Sequence, residues 1–287
     1  MQIYLNGTRT DAANATISAF DLGFTMGVTV TEQMRTFARK TPLIERHLDR
    51  FFGGLEIIKL KIPYDRSQLK FQIQDLIDEN GPTLAAGDEL GIGLCATPGI
   101  ASAFGQTNDG PTVLVYNYAL RRGFVQTLIK SGIRLTSVEI QEISAASIPK
   151  DLKCRSRMHY YLAENQAQAV DANSRALLND ANGNVAEGTI ASVVMIQNGR
   201  LVAPVKETVL SGVTLGFTIE LAGKINLPVE RRNISVAELE AADEVLWLTT
   251  PIGIVAVTHV NQNMIGDGNT GAITQRLSDA WHESLNG

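Results

Sequence analysis

The sequence predicts a mixed α+β fold in two domains, and three observations support this. The chain has 287 residues, of which 44% are apolar and 19% charged, so its length and composition favour two buried cores over one. Short extended segments alternate with turn residues in both halves of the chain. Each half also contains segments in which apolar residues recur every three or four positions, which is typical of amphipathic helices.

The first half predicts a small sheet accompanied by two helices. Strands are predicted at residues 2–5, 17–20, 28–37, 90–96 and 112–118. Helices are predicted at residues 43–60 and 67–78. Asn6 and Gly7 end the first strand, and the second helix stops before Gly81 and Pro82.

The second half predicts a larger sheet with flanking helices. Strands are predicted at residues 132–138, 175–178, 190–196, 201–203, 244–248 and 254–260. Helices are predicted to start near Arg157 and near Gly212, and a last one covers residues 273–285. The polar stretch at residues 121–123 predicts a connector at 120–124. We therefore expect a small N-terminal α/β domain over residues 1–119 and a large C-terminal domain over residues 125–287.

Composition narrows the class of partner. The formal net charge of −5, with no basic stripe, argues against nucleic-acid binding, which requires clustered Lys and Arg. Two cysteines, Cys95 and Cys154, are too few for a disulfide framework and too far apart for a metal knuckle, so we expect no metal and a reducing cytoplasm. No apolar run is long enough to span a bilayer, and the N-terminus lacks signal-peptide character. A small-molecule substrate is expected.

Three segments of the second half suit amine chemistry on an aldehyde cofactor, which needs an imine-forming lysine, a carboxylate and a phosphate cradle. Lys153 stands at a loop-to-helix junction, and Glu187 lies between a turn and an apolar strand. Gly212, Val213 and Thr214 lead into a helix, whose free N–H groups favour an anion. The alternatives are a solvated lysine, a surface glutamate and an ordinary Ser211 helix cap.

Two further places could add to a phosphate site. Thr249 and Thr250 at the end of a predicted strand offer hydroxyl and backbone donors, and Arg50 in the first amphipathic helix offers a countercharge. An ordinary turn and a helix-surface arginine are the alternative interpretations.

In order along the chain, these segments resemble the fold-type IV pyridoxal-phosphate enzymes, which include branched-chain aminotransferases, D-amino acid aminotransferases and aminodeoxychorismate lyases. The resemblance covers nearly the whole chain. The segments that carry it are FDLGFTMGV at 20–28, HLDRF at 47–51, KCRSRMHYYLA at 153–163, VAEG at 185–188, LSGVT at 210–214, DEVLWLTT at 243–250 and IGDG at 265–268.

The resemblance implies a fold and a set of roles. It implies a β-barrel-like sheet with flanking helices in the C-terminal domain, a site between the domains and a homodimer. Pyridoxal 5'-phosphate is the implied cofactor, with Lys153 as its Schiff-base lysine and Glu187 as the partner of its ring nitrogen. Arg50, Gly212, Val213, Thr214, Thr249 and Thr250 are implied around its phosphate.

Substrate recognition does not carry over from the family. Pro98 stands near the place where the D-amino acid branch has a carboxylate-binding arginine, and Thr31 stands where many members have an aromatic residue. Arg35, Arg155 and Arg157 are candidates for binding a substrate carboxylate, although each suits a solvated position equally.

The resemblance implies an aminotransferase that passes an amino group from an amino acid, possibly branched-chain, to a 2-oxo acid. The alternative within the family is a lyase that releases pyruvate. A third hypothesis is a non-catalytic relative that binds the cofactor or a partner protein.

Overall fold

The computed structural model describes residues 1–100 and 110–286, and these form two compact units. The first comprises Met1–Arg122 with Asp151–Ser156, and the second comprises Gly123–Lys150 with Arg157–Gly287. Relative to the two domains predicted from the sequence, the short segment that carries Lys153 groups with the N-terminal unit.

The first unit is built on a five-stranded antiparallel sheet in the order β2-β1-β5-β4-β3. Its strands are β1 (Gln2–Leu5), β2 (Thr8–Asp11), β3 (Val30–Arg35), β4 (Glu89–Thr97) and β5 (Thr112–Leu120). Its helices are the short α1 (Leu22–Thr25), α2 (Ile44–Ile57) and α3 (Arg66–Asn80).

One face of this sheet carries the core of the first unit. Alternate residues of β3, β4 and β5, such as Val30, Ile92 and Val115, pack against Leu48 of α2 and Ile73 of α3. This alternation is what a half-buried strand requires, because successive side chains point to opposite faces. The other side chains of the same strands lie on the opposite face.

The predicted strand at residues 17–20 is wrong. The backbone N–H of Asp21 donates to Ser18 O at 3.0 Å, and the N–H of Phe20 donates to Ser18 Oγ at 3.1 Å. These local bonds form a turn, and the Asp21 side chain then caps α1 by accepting from Gly23 N. Local side-chain acceptors of this kind compete with strand pairing.

The second unit is built on a nine-stranded mixed sheet. Its strands are β6 (Ile133–Gln141), β7 (Ser174–Asn179), β8 (Val185–Gly188), β9 (Ala191–Gln197), β10 (Arg200–Ala203), β11 (Val229–Arg231), β12 (Glu244–Thr249), β13 (Gly253–Val260) and β14 (Asn263–Met264). Its helices are α4 (Arg122–Ser131, from its second residue onward), α5 (Met158–Val170), α6 (Val213–Lys224), α7 (Val236–Glu240) and α8 (Ala272–Asn286).

Six of these strands close into a ring in the order β9-β12-β13-β6-β7-β8, because β8 also pairs with the start of β9. The remainder of β9 pairs with β10 at the same edge, and β10 continues to β11. Side chains such as Val193, Trp247 and Val255 form the main core. The fold-class prediction, a mixed α+β protein with a barrel-like sheet in its C-terminal part, is confirmed.

Helix α4 was not predicted, since residues 121–123 had indicated a polar connector. It begins at Arg122, and Leu128 and Ile129 on one side of it pack against the core of the second unit. In residues 1–100 and 110–286, no helix combines the length and the apolar character needed to cross a membrane.

Candidate active site

A buried charge cluster in the first unit surrounds Arg50. Arg50 Nε donates to Glu32 Oε2 at 2.8 Å and Nη2 donates to Glu32 Oε1 at 2.6 Å, so the guanidinium is held in a bidentate contact. His47 Nδ1 lies 3.1 Å from Glu32 Oε1, although without the geometry of a regular hydrogen bond. Glu32 comes from β3 and the two cations from α2. The cluster therefore fixes the orientation of Arg50.

Electrostatics agree with this geometry. Burial alone would raise the pKa of the Glu32 carboxyl, but Arg50 and His47 outweigh it and hold that pKa well below its usual range. Burial lowers the pKa of His47, with Glu32 opposing that effect. Glu32 is therefore ionised at neutral pH and supplies the counter-charge of Arg50.

We expect Glu32→Gln to destabilise the protein by about 3–5 kcal/mol, because it leaves the Arg50 charge buried without its carboxylate. Equilibrium unfolding in urea measures this. Since the folded pKa of Glu32 is depressed, its stabilisation is present above the unfolded pKa and is lost as the pH falls below about 4. Glu45→Gln, on the exposed side of α2, is the matched control and should change stability by less than about 1 kcal/mol. Equal effects of the two changes would contradict the assignment.

The segment around Lys153 runs along the free edge of β3. Lys153 O accepts from Thr31 N at 2.8 Å, and Arg155 N donates to Thr29 Oγ1 at 2.7 Å. Leu152 packs into the core of the first unit. The backbone on both sides of Lys153 is thus fixed by the sheet rather than left in a loose loop, which suits a side chain that must be placed accurately.

The four predicted substrate residues lie in different environments. Thr31 is buried and its hydroxyl donates to Leu94 O at 2.8 Å. The Arg35 guanidinium lies 4.2 Å from the Phe37 ring centroid, and burial lowers its pKa. Arg155 Nη2 donates to the Tyr116 hydroxyl at 3.0 Å. Arg157 belongs to the second unit, where it lies 5.7 Å from the Tyr160 ring centroid.

Glu187 in the second unit is a fully buried carboxylate on β8. Its Oε1 accepts from the Tyr160 hydroxyl at 2.6 Å, and its Oε2 accepts from Leu210 N at 3.1 Å. In the described part of this unit, no lysine or arginine forms an ion pair with it. Burial and the charge of Glu142 raise the pKa of Glu187. The site therefore favours a nearby cation that the chain itself does not supply.

A second charge cluster lies behind this carboxylate. Lys150 Nζ donates to Glu142 Oε1 at 2.6 Å, and His159 Nε2 lies 3.4 Å from Glu142 Oε2. Burial acts to raise the pKa of Glu142, but His159 and Lys150 outweigh it and lower that pKa. The pair Glu142–Lys150 is thus internally balanced, which leaves Glu187 as the carboxylate in excess.

The predicted phosphate turn stands beside Glu187, because Leu210 N donates to that carboxylate. Gly212, rather than Ser211, is the N-cap of α6, and no side chain caps this helix. Its first backbone N–H groups, from Val213 onward, therefore form an anion site of the kind found at helix N-termini. Thr214 Oγ1 lies 3.3 Å from Thr250 Oγ1, so these two residues are brought together as predicted.

Thr249 takes a different part. Its hydroxyl donates to Ile190 O at 3.0 Å, and the side chain is buried. A cavity of about 580 Å³ opens next to the turn and is lined by residues that include Leu210, Gly212, Leu215 and Arg231. Its size is within the range of small-molecule sites.

The sequence analysis missed several residues of these clusters. Glu32 carried a usable signal, since it alternates with Val30 and Met34 on the core face of β3, where a charge needs a buried partner. Tyr116, Glu142, Lys150 and Tyr160 carried none, because their roles arise from contacts between distant segments. Within the described residues, no group of three His, Cys, Asp or Glu side chains could hold a metal ion.

Comparison with known proteins places the chain in a family. A family model described as amino-transferase class IV matches residues 29–260. A putative branched-chain-amino-acid aminotransferase of Methanocaldococcus jannaschii is 26% identical over 288 residues, which cover 99% of this chain and 96% of the relative. A D-alanine aminotransferase of Listeria monocytogenes is also 26% identical, over 290 residues with the same coverage.

Solved structures agree on the fold. A branched-chain amino acid aminotransferase crystallised with pyridoxamine 5'-phosphate, from the source abbreviated T.th., superposes with a TM-score of 0.90 at 23% identity, covering 100% of this chain and 94% of that one. The Escherichia coli branched-chain enzyme gives 0.90 at 20% identity, covering 100% and 95%.

The chain belongs to the class IV aminotransferases. Members of this class are pyridoxal-phosphate-dependent transaminases, as the sequence resemblance implied. The residues present fit that cofactor: a buried carboxylate without a cation suits a protonated pyridine nitrogen, and the uncapped start of α6 suits a phosphate.

Proposed function

We propose that this enzyme moves an amino group from an α-amino acid to a 2-oxo acid. The observation that supports this most is Glu187, whose raised pKa and lack of an ion-pair partner within its unit match the need of a protonated pyridine ring. Branched-chain amino acids are the first substrates to test, because the Methanocaldococcus jannaschii relative is named for them. D-Alanine is the second, on the basis of the Listeria monocytogenes relative.

The residue roles follow from the geometry of each unit. When bound, pyridoxal phosphate supplies an aldehyde that bonds amines and a ring that withdraws electrons. Lys153 is the amine that holds the cofactor and the base that moves a proton at the substrate α-carbon. Glu187 keeps the ring nitrogen protonated.

The phosphate is assigned to a group of donors rather than to one side chain. Arg50, oriented by Glu32, supplies positive charge, and the start of α6 supplies backbone N–H groups. Thr214 and Thr250 supply hydroxyl groups, since their oxygens converge. Thr249 contributes through its backbone, because its hydroxyl is bonded to Ile190 O. Thr31, Arg35 and Arg157 remain candidates for contacts with the substrate.

A panel of donors separates the candidate reactions. The purified protein with added pyridoxal phosphate is incubated with L- and D-amino acids, with and without 2-oxoglutarate, and new amino and keto acids are quantified. A transaminase requires the acceptor, whereas a pyruvate-releasing lyase, the second candidate, does not. No product with any donor, under conditions in which the protein binds the cofactor, would favour a non-catalytic relative and contradict the proposal.

We also propose that the enzyme is a homodimer in the cytoplasm. Phe20, Phe24 and Met26, at and around α1, are 54%, 78% and 71% exposed, which is unusual for large apolar side chains so close together. Such a group suits burial against a second copy of the chain. The two cysteines are both free, which supports a reducing compartment.

We expect Phe24→Asp to weaken the dimer by about 10- to 100-fold, because burying a phenylalanine contributes about 1.5–3 kcal/mol. Sedimentation equilibrium over a range of protein concentrations measures the dissociation constant. Phe71→Asp on α3 is the matched control, since Phe71 is 67% exposed but stands apart from this group. A monomeric wild-type protein, or equal effects of both changes, would argue against the proposed interface.

A further inference from the structure

The face of the first-unit sheet that points away from α2 and α3 has an unusual composition. Register pairs Gln33 with Gly93 and Tyr116 across the three strands β3, β4 and β5. The next row of the same face contains Gly91 and Tyr118. Each tyrosine ring lies directly over a glycine, because a Cβ at Gly91 or Gly93 would lie 2.2 Å from the Cζ of the facing ring. The two glycines therefore make room for two aromatic rings on one face.

Arg155 reaches this face from the segment beside β3. Its backbone is fixed by the bond to Thr29, and the next residue is also fixed, since Ser156 Oγ donates to Gly27 O at 2.8 Å. The guanidinium makes one hydrogen bond within the described residues, to the hydroxyl of Tyr116. An arginine has five N–H donors in a planar fork, so a single neutral acceptor leaves most of that capacity for another group.

Arg155 differs from Arg50 in its partners. Arg50 is neutralised by the buried carboxylate of Glu32. No acidic side chain among the described residues forms an ion pair with Arg155, although it is half-buried. A half-buried cation fixed in place, with a hydroxyl next to it and no anion, has the features of a site for a carboxylate that arrives with a ligand.

The position of Arg155 relative to Lys153 specifies which ligand. Side chains two residues apart in an extended segment point to the same side. Leu152 packs into the core on the helix side of the sheet, and Arg155 contacts Tyr116 on the other side. The same alternation places Lys153 on the side of Arg155.

We propose that Arg155, positioned by Tyr116, binds the carboxylate of the amino acid and 2-oxo acid substrates. This rests on the proposed function, in which Lys153 reacts next to the substrate α-carbon. The enzyme accordingly selects amino acids over simple amines, and it does so with an arginine two residues after the reactive lysine. Tyr116 holds the guanidinium plane through its hydroxyl and over Gly93.

The test compares acceptors that differ in the carboxylate. Arg155→Gln is assayed with a 2-oxo acid and with an aldehyde of similar side chain that has no carboxylate. We expect KM for the 2-oxo acid to rise about 10- to 100-fold, the usual effect of losing a charge-assisted contact, and KM for the aldehyde to stay within about twofold. Arg155→Lys should recover part of the loss, and Tyr116→Phe should cause a smaller rise.

A binding measurement without turnover accompanies the assay. Calorimetric titration of the cofactor-free protein with 2-oxoglutarate should show binding that Arg155→Gln weakens by a similar factor. Arg200→Gln, an exposed arginine at the start of β10, is the control and should behave as wild type. Pyridoxal phosphate affinity, measured separately, should change little in all variants.

The outcomes separate this inference from the proposed function. A wild-type protein that transaminates no amino acid would overturn the proposed function itself. Wild-type transamination with an unchanged KM in Arg155→Gln would overturn only the role of Arg155. Equal losses with the 2-oxo acid and the aldehyde, or a loss of cofactor affinity in place of a KM effect, would show that Arg155 serves another part of the site.

Discussion

Lys153→Ala is expected to abolish transamination, with kcat reduced by about three orders of magnitude or more. The change removes both the amine that bonds the cofactor and the group that moves the proton at the substrate carbon. Folding should be preserved, because the sheet contacts of this segment use the backbone of Lys153 and the side chain of Leu152. Activity with a fixed donor and acceptor, together with thermal unfolding, measures both effects.

Covalent labelling makes the same test specific. Borohydride treatment of wild-type protein loaded with pyridoxal phosphate should fix one cofactor on the peptide that contains Lys153, as detected by mass spectrometry. The neighbouring Lys150 is the informative comparison, because it is buried in an ion pair with Glu142. A label on Lys150, or one that persists in Lys153→Ala, would contradict the assignment. Lys130→Ala, on the exposed end of α4, should retain full activity and labelling.

Glu187→Gln is expected to change stability and activity in opposite directions. It should lower kcat by about 100-fold, because an amide cannot hold the ring nitrogen protonated. The same change should make the cofactor-free protein more stable at neutral pH, since it removes a buried negative charge near Glu142. The hydrogen bonds can survive: Leu210 N donates to the amide oxygen, and the Tyr160 hydroxyl accepts from the amide nitrogen.

The pH dependence gives a second measure of Glu187. Its folded pKa is raised, so between the unfolded pKa of about 4.3 and that raised value the folded protein binds more protons than the unfolded chain. This contribution to stability is greatest at low pH and diminishes as the pH rises through that window. Urea unfolding of the cofactor-free protein at a series of pH values should show it in wild type and not in Glu187→Gln. Parallel curves, or a variant less stable at neutral pH, would contradict the account.

Local motifs allowed much of this site to be predicted from the sequence. Glu187 lies directly after a turn, and Gly212 directly before a helix, so short-range signals identified both. The convergence of Thr214 and Thr250 followed from the strand end at Thr250. Helix α4 and the turn at residues 17–20 were misjudged because polar flanks in one case and apolar residues in the other obscured the local hydrogen bonding that decides them.

Other features could not be deduced from the sequence. Arg35, Arg155 and Arg157 are equivalent candidates as residue types, and only tertiary contacts distinguish them. Arg35 packs on Phe37, Arg157 lies near the ring of Tyr160, and Arg155 bonds Tyr116. The balance of charge around Glu187 likewise depends on Lys150, which lies 37 positions earlier in the chain and pairs with Glu142.

The closure of six strands into a ring has a consequence for the apoenzyme. Gly188 pairs with Leu177 on one side and Ala191 on the other, and Glu187 itself pairs with Ser192. Because β8 has a neighbour at each edge, it resists the fraying that a terminal strand undergoes. The carboxylate therefore keeps its position while the cofactor is away, and loading can proceed by docking into a preorganised wall rather than by folding one.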